Sequence, residues 1–268
     1  MQVKDLASSR ELLWNLTLRE LRGRYKRTAL GFGWSLLNPL ATMLVFTFVF
    51  RYVLKVTPPP GDPSGLDVFA VWLLCGVLVW SFFSGGSSSA MGSLLANAGL
   101  VKKVYFPRET LVFATVGSLL ITHLIELGLL TVVLLIFGNM VLPWLPVLAL
   151  IVVLLTAFTT GVGLVLASLN VYFRDLGHLW GILVLMWFYA TPVVYPMSLV
   201  EQNASSFVLD IYQLNPMTNF VEAVRDVMYD LRMPSLGTFA NLTVSAAVSM
   251  ALGLWVFAKL SPRFAEEL

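Results

Sequence analysis

Two ionisable side chains lie inside a long apolar run of this 268-residue chain. His123 and Glu126 are three residues apart, so they share one face of a predicted helix. Ionisable groups at membrane depth are candidates for a proton relay or a catalytic base. Because no second carboxylate or histidine occurs at that depth, we favour a mutual structural pair that faces the interior of a helix bundle. Catalysis stays open as the alternative.

A basic segment precedes the first apolar run. Its apolar residues Trp14, Leu18, Leu21 and Tyr25 recur at i, i+4, i+7 and i+11, which is typical of an amphipathic helix on a membrane surface. One interpretation is an anchor for anionic lipids that also fixes the topology. The other is contact with an anionic headgroup, since arginine forks match phosphate geometry. The candidates for this substrate-entry role are Arg19, Arg22, Arg24, Tyr25, Lys26 and Arg27.

Two short connections between apolar runs combine aromatic and charged residues. Residues 97–109 have the sequence NAGLVKKVYFPRE, and residues 170–176 have NVYFRDL. A loop that only connects two helices would not need exposed Tyr-Phe pairs, so both turns indicate a docking surface for a partner. The alternative is an aromatic belt at the membrane interface. The docking candidates are Lys102, Lys103, Tyr105, Phe106, Pro107, Arg108, Glu109, Asn170, Tyr172, Phe173, Arg174 and Asp175.

The composition places these residues in a membrane protein. The chain is 58% hydrophobic and only 12% charged, with a mean hydropathy of +0.82, whereas soluble domains are about 45–50% apolar and about 25% charged. A soluble enzyme and a disordered chain are therefore excluded. We predict an all-α protein with a cytoplasmic amphipathic segment (1–33), a transmembrane domain (34–260) and a cytoplasmic tail (261–268). Its six spans are predicted at 34–54, 68–90, 111–137, 147–169, 179–194 and 240–260.

The basic residues predict the orientation. Thirteen of the 17 lysines and arginines lie in the N-terminal segment, the two turns and the C-terminal end. Positive charge favours the cytoplasmic side, so both termini are predicted there, as an even number of spans requires. The sequence has no phosphate-loop motif, so any nucleotide must bind another chain. The single cysteine, Cys75, excludes an internal disulfide and a cysteine-based zinc site, and we assign no metal site.

The stretch between the fifth and sixth spans is too polar to cross a membrane and too apolar for a free loop. Pro192, Pro196 and Pro216 interrupt it, so we predict short helices that partly re-enter the membrane and form an outer gate. A simple interfacial helix is the alternative. Aromatic side chains in the first and fifth spans are typical of core packing, and they could also line a pore for a glycan. The pore or gate candidates are Phe46, Phe50, Trp187, Tyr189, Tyr195, Asn215, Pro216 and Asn219.

Several of these motifs together resemble a known family. The chain is similar to permease subunits of type-2 ABC exporters, in the branch that exports O-antigen, teichoic acid, capsule and related envelope polysaccharides. The resemblance rests on the basic segment before Trp34, on KVYFPRE at 103–109, NVYFRD at 170–175, PVVYP at 192–196 and LNP at 214–216. These motifs occur in the family's order and spacing over nearly the whole chain.

The resemblance implies a machine of several subunits in the bacterial cytoplasmic membrane. It implies a homodimer of six-span subunits that binds two copies of an ATPase subunit, with ATP and magnesium on that partner, no cofactor in this chain and no nucleic acid. It also implies that the two turns contact the ATPase, that the basic helix lies at the pore entrance, and that a lipid-linked glycan passes between the protomers among membrane lipids. Alternatives are export of a small lipid or drug, a membrane-embedded lipid-modifying enzyme that uses His123 and Glu126, and a structural scaffold.

Overall fold

The chain folds into helices connected by short turns. The computed structural model describes residues 10–26, 30–31, 33–53, 55, 60–104 and 106–268, so the predicted site residues Arg27 and Tyr105 lie outside the described part. That part is all-helical, as predicted, and contains no strand. Its helices are α1 (Arg10–Tyr25), α2 (Gly33–Phe46), α3 (Phe69–Ala96), α4 (Ala98–Lys103), α5 (Glu109–Ile136), α6 (Leu145–Tyr172), α7 (Leu176–Tyr189), α8 (Met197–Asn203), α9 (Ser206–Leu214), α10 (Pro216–Arg225), α11 (Leu236–Leu260) and α12 (Phe264–Glu267).

Two helices continue in π-helical geometry, α2 over Thr47–Val53 and α10 over Asp226–Asp230. Two 3₁₀ turns, Leu142–Trp144 and Ser261–Arg263, flank α6 and α11. Among the described residues, five helical segments are long and apolar enough to cross a membrane: Leu36–Val53, Phe69–Ala96, Glu109–Ile136, Leu142–Tyr172 and Leu236–Arg263. Five of the six predicted spans therefore coincide with long apolar helices.

The fifth predicted span differs from the prediction. Helix α7 ends at Tyr189 and not at Val194, and its 14 residues reach only about 21 Å, which is less than the roughly 30 Å of a bilayer core. The helix ends because the chain turns at Pro192, where the amide of Val193 donates to the carbonyl oxygen of Thr191 over 2.7 Å. Residues 191–194 are buried, so this turn packs inside the protein.

Helix α3 is the centre of the bundle. All of residues 71–80 are buried, and α3 contacts α2, α5, α6, α7 and α10. Helix α11 packs on α6 through glycines: a Cβ on Gly161 would lie only 2.3 Å from the carbonyl carbon of Ser249. Among the five spanning segments, those of α2 and α11 are the least buried, so their outer faces are available to lipid or to another subunit.

The N-terminal helix forms as predicted, and it packs on the bundle through a face that includes Leu21 of the predicted apolar face and not Trp14. Helix α1 packs on α5 through Leu16, Thr17 and Leu21, whereas Trp14 is 58% exposed. Thr17 lies against Gly117, where a Cβ atom would meet the threonine methyl group at 3.5 Å, an ordinary van der Waals distance. The helix therefore lies against the bundle, with Trp14 directed away from it.

Candidate functional site

The two predicted docking turns lie at the end of the bundle that also contains α1 and the C-terminal residues, which we call the basic end. Both turns contact the C-terminal segment, residues 260–268. The guanidinium of Arg108 donates to the carbonyl oxygen of Ser261, and the hydroxyl of Tyr172 donates to that of Leu260 over 3.1 Å. The last carbonyl groups of a helix have no partner within the helix, so Tyr172 caps α11 at Leu260. Arg108 binds the first residue of the 3₁₀ turn that follows, and both docking turns are thereby joined to the end of α11.

The predicted docking residues divide into an outward and an inward group. Phe173 is 60% exposed, and Lys102, Lys103, Arg174 and Asp175 are exposed as well. These five residues, which we call the docking group, combine one aromatic ring with charges of both signs. Such a surface suits a protein partner, because aromatic and arginine side chains contribute most to binding energy at interfaces.

The other docking candidates within the described residues face the protein, which differs from the expectation that the Tyr-Phe pairs of both turns are exposed. Glu109 is 6% exposed and Asn170 is 6% exposed. The Asn170 amide donates to the carbonyl oxygen of Met91 over 3.0 Å and so joins α6 to α3. Phe106 and Pro107 are half-buried. Together with Arg108 and Tyr172, these residues hold the turns in place, because burial and hydrogen bonds occupy the groups that a partner would need.

The substrate-entry candidates lie on α1 at the same end. Arg19 donates to the side-chain oxygen of Asn97 over 2.5 Å and forms an ion pair with Glu20 at 3.1 Å. Since Asn97 lies between α3 and α4, this contact ties the basic helix to the first docking turn. Arg22, Arg24 and Lys26 are exposed, and the side chain of the candidate Tyr25 lies outside the described part of the structure.

At the opposite end, Asn215 organises the predicted gate. Its side-chain oxygen accepts from the indole of Trp187 over 2.8 Å and from the amide of Met217 over 3.0 Å. Its side-chain nitrogen donates to the carbonyl oxygen of Ala190 over 2.9 Å. Asn215 is therefore the N-cap of α10, for which Pro216 is a favourable first residue. It also fixes the end of α7 against the start of α10.

The other gate candidates are arranged around this asparagine. Asn219 donates to the carbonyl oxygen of Gln213 over 2.8 Å. The hydroxyl of Tyr195 donates to the carbonyl oxygen of Tyr189 over 2.6 Å and lies 2.9 Å from the hydroxyl of Tyr212. Burial raises the pKa of Tyr195, and the hydrogen bond with Tyr212 adds to this effect. Tyr189 itself is 62% exposed.

Two predicted pore aromatics of α2 and its π-helical extension pack together. The rings of Phe46 and Phe50 meet edge to face, with their centroids 6.0 Å apart. Phe46 also stacks on Phe188 of α7 with centroids 6.2 Å apart. These rings hold α2 against α7, so part of the predicted pore lining contributes to helix packing.

Arg225 is a buried charged residue that was not among the predicted site residues. This arginine is 2% exposed, and its guanidinium carbon lies 3.6 Å from the ring centroid of Trp72. The guanidinium donates to the carbonyl oxygens of Pro192 over 2.7 Å and Val193 over 2.6 Å, and to Glu222 over 2.8 Å. Burial lowers the pKa of Arg225, and Glu222 opposes that effect. The spacing of Glu222 and Arg225 on one face of α10 was a signal that could have indicated a pair.

A second cluster of charges lies directly after Arg225. Arg232 forms an ion pair with Asp226 at 2.5 Å and with Asp230 at 3.5 Å. Burial raises the pKa of Asp230 to about 6, against the opposing effect of Arg232. Burial also raises the pKa of Asp226, again opposed by Arg232. Both carboxyl groups therefore titrate above their ordinary range.

His123 and Glu126 form the predicted pair inside α5. The Nδ1 atom of His123 and the Oε2 atom of Glu126 are 3.7 Å apart. The imidazole is 2% exposed and stacks on Phe82 with ring centroids 4.7 Å apart. A ring covered in this way has little access to a substrate, so the geometry favours a structural pair. In the described part of the chain, no group of three or more His, Cys, Asp or Glu residues could hold a metal ion.

These features define a helical integral membrane protein with an exposed aromatic and charged surface at one end and a cluster of hydrogen-bonded short helices at the other. Residues 11–229 match the family described as ABC-2 type transporter, and the chain belongs to that family. It is 34% identical to the O-antigen export system permease protein RfbA of Myxococcus xanthus, over 99% of this chain and 98% of that protein. It is 28% identical to RfbA of Klebsiella pneumoniae, over 96% and 95% respectively. It is 25% identical to the polysialic acid transport protein KpsM of Escherichia coli, over 90% of both chains.

Proposed function

We propose that this chain is the channel-forming permease subunit of an ATP-driven transporter that exports a lipid-linked polysaccharide across the bacterial cytoplasmic membrane. The observation that carries the proposal is the exposed docking group at the basic end, whose two turns are both bonded to the end of α11. Relatives named as O-antigen export permeases match the chain over almost its full length. An ATP-driven exporter needs an ATPase subunit, and the docking group is a surface suited to binding one.

In this proposal the basic end faces the cytoplasm and both termini lie there. The five long apolar segments and α7 make six crossings, with α7 crossing a part of the membrane thinned by the short helices α8 to α10. A second copy of the chain completes the pore, which accounts for the exposed outer faces of α2 and α11. Two copies of an ATPase subunit bind the docking groups and carry the ATP and magnesium.

The basic helix α1 supplies the entry for the substrate. Arg22, Arg24 and Lys26 are exposed beside the docking turns, and guanidinium groups bind phosphates in bidentate geometry. A lipid-linked polysaccharide carries a phosphate headgroup of this kind. At the other end, the helices joined by Asn215 form the gate, and the aromatic rings of α2 and α7 form part of the path for the glycan.

Export of a small lipid or drug is the second candidate within transport. It shares the docking group and the ATPase, so the two are distinguished by the molecule that accumulates when the gene is deleted. Undecaprenyl-linked polymer should accumulate under our proposal. An unchanged polymer pool with a changed lipid or drug content would favour the second candidate.

The docking assignment can be tested with a matched pair of substitutions. Phe173→Ala removes an exposed ring from the docking group, whereas Phe207→Ala removes a ring that is 72% exposed at the opposite end. We expect the tagged Phe173→Ala protein to lose at least tenfold of its co-purifying phosphate-loop ATPase, while the Phe207→Ala protein keeps it. Equal ATPase recovery from both variants, at equal thermal stability, would show that this turn is not the docking surface.

A further inference from the structure

A cavity of about 290 Å³ opens between the start of α3, the turn before it and the helices after α7. We call it the Arg225 pocket. Its walls include the apolar side chains of Pro60, Pro196 and Met197 and the hydroxyl-bearing Ser198. The residues that give it its chemistry are Asp62, Trp72, Glu222, Arg225, Asp230 and Arg232. Nothing in the proposed transport cycle requires a cavity at this position.

The back wall of the pocket is rigid. The Arg225 guanidinium fits there because Gly76 has no side chain, and a Cβ on Gly76 would lie 2.8 Å from a guanidinium nitrogen. The hydroxyl of Tyr229 accepts from the amide of Val68 over 3.2 Å. Asn139 donates to the carbonyl oxygens of Met228 and Tyr229 over 2.8 and 3.1 Å. A wall held by this many hydrogen bonds keeps its shape without a ligand, which reduces the entropic cost of binding.

The charged groups of the pocket do not balance. The carboxylates of Asp62, Glu222 and Asp230 outnumber the guanidinium groups of Arg225 and Arg232, so the lining has an excess of negative charge. Carboxylates accept hydrogen bonds and attract cations, and they repel other anions.

These properties together select a ligand class. Apolar walls beside carboxylates and guanidiniums suit a ligand with both C–H faces and hydroxyl groups, because each kind of surface meets its complement. The volume lies at the lower end of the roughly 300–1,000 Å³ of small-molecule pockets, which suits one ring and not a chain. The excess of carboxylates disfavours acidic rings.

We propose that the Arg225 pocket binds a single neutral or amine-bearing sugar unit of the exported glycan at the gate end of the permease. The proposal rests on the proposed function, since it takes the glycan as the molecule that passes. Glu222, Asp62 and Asp230 accept hydrogen bonds from the sugar hydroxyls or an amine, and the half-exposed guanidinium of Arg232 donates to a ring substituent. A uronic or sialic acid unit is excluded by repulsion from the same carboxylates.

The test uses the full-length permease in lipid nanodiscs and titrates methyl glycosides in saturation-transfer NMR. We expect methyl mannoside and glucosamine to bind at least about fivefold more tightly than glucuronic acid, the factor that about 1 kcal/mol represents. Ser198→Phe fills the pocket without touching an ion pair and should abolish the signal. Asp62→Asn should weaken binding of the neutral sugar and narrow its advantage over glucuronic acid. Glu201→Gln, an exposed acid outside the pocket, is the matched control and should bind like the unsubstituted protein.

Several results would overturn the proposal. Tight binding of glucuronic acid, or an unchanged signal in Ser198→Phe at native thermal stability, would exclude a sugar site here. Binding of ethanolamine without any sugar would assign the pocket to a lipid headgroup. Failure of this inference differs from failure of the proposed function, because the latter is measured by ATPase recovery and polymer accumulation, which do not depend on the pocket.

Discussion

The contact between α6 and α11 gives the sharpest prediction for stability. Gly161→Ala would place a methyl carbon 2.3 Å from the carbonyl carbon and 2.4 Å from the carbonyl oxygen of Ser249, and 2.5 Å from the amide nitrogen of Met250. All three are backbone atoms, so no side chain can rotate away. Since carbon atoms pack at about 3.5–4.0 Å, the two helices must separate by about 1 Å.

The cost follows from what that separation disrupts. A gap of 0.5–1 Å forfeits a quarter to a half of each dispersion contact along the seam, and it stretches the hydrogen bond from the Ser249 hydroxyl to the carbonyl oxygen of Phe158, now 3.2 Å. Overpacking a core costs about 1–3 kcal/mol of stability. We expect a cost near the upper end of this range at Gly161, because the atoms that the new methyl group would meet are all backbone atoms. Alanine gains about 1 kcal/mol over glycine in helix propensity. We therefore expect a net loss of about 2 kcal/mol, or about 4–8 °C in melting temperature for a protein of this size.

Gly128→Ala is the matched control, because it makes the same change inside α5 where a Cβ meets nothing within 4 Å. Its melting temperature should be unchanged or slightly higher. Fluorescence-detected size-exclusion chromatography of heated, detergent-solubilised protein measures both variants in parallel. If Gly161→Ala melts at the same temperature as Gly128→Ala, the seam is not a rigid backbone contact and the reasoning fails.

Three further changes test the other contacts. Asn215→Ala should lower both the melting temperature and the rate of export, because it removes the hydrogen bonds to Trp187, to the carbonyl group of Ala190 and to the amide of Met217. The control is Asn203→Ala, at an exposed position of α8. Tyr172→Phe removes the hydrogen bond to Leu260, so export measured as surface polysaccharide should fall while the recovered ATPase stays unchanged. The control is Tyr52→Phe, whose side chain is 68% exposed. Loss of the ATPase from Tyr172→Phe would contradict the assignment of Tyr172 to holding the turn in place. Burial raises the pKa of Asp230 from 3.8 to about 6, so the folded state holds this proton more tightly and loses stability as the pH rises from about 4 to about 6. Asp230→Asn has no carboxyl group to titrate here, so the difference between its melting temperature and that of the unsubstituted protein should grow in its favour from about pH 4 to about pH 6. Parallel profiles of melting temperature against pH for the two proteins would refute this prediction.

The helices and the location of the docking turns could be predicted from local sequence, because apolar runs and positive charge act over short distances along the chain. Which way Arg108 and Tyr172 point could not, since their partners are carbonyl groups of residues 260 and 261, far away in sequence. Arg225 escaped prediction for a similar reason. A charged residue becomes a buried one only when Trp72 and the carbonyl groups of the turn at Pro192 converge on it, and no local pattern specifies that convergence.

A continuous series of contacts along the bundle connects the proposed ATPase-docking turns to the proposed gate. Both docking turns are hydrogen-bonded to the end of α11, and α11 packs against α6 with their backbones in close contact at Gly161 and Gly253. The Asn170 amide then joins α6 to α3, whose opposite end carries Trp72 under the guanidinium of Arg225. Arg225 donates a hydrogen bond to the turn that follows α7. The other end of α7, its N-terminus, comes directly after the docking residue Asp175. Under the proposed function, a displacement of the docking turns would reach the proposed gate by two routes, through α11, α6 and α3 and through α7. Both routes converge on the buried guanidinium of Arg225.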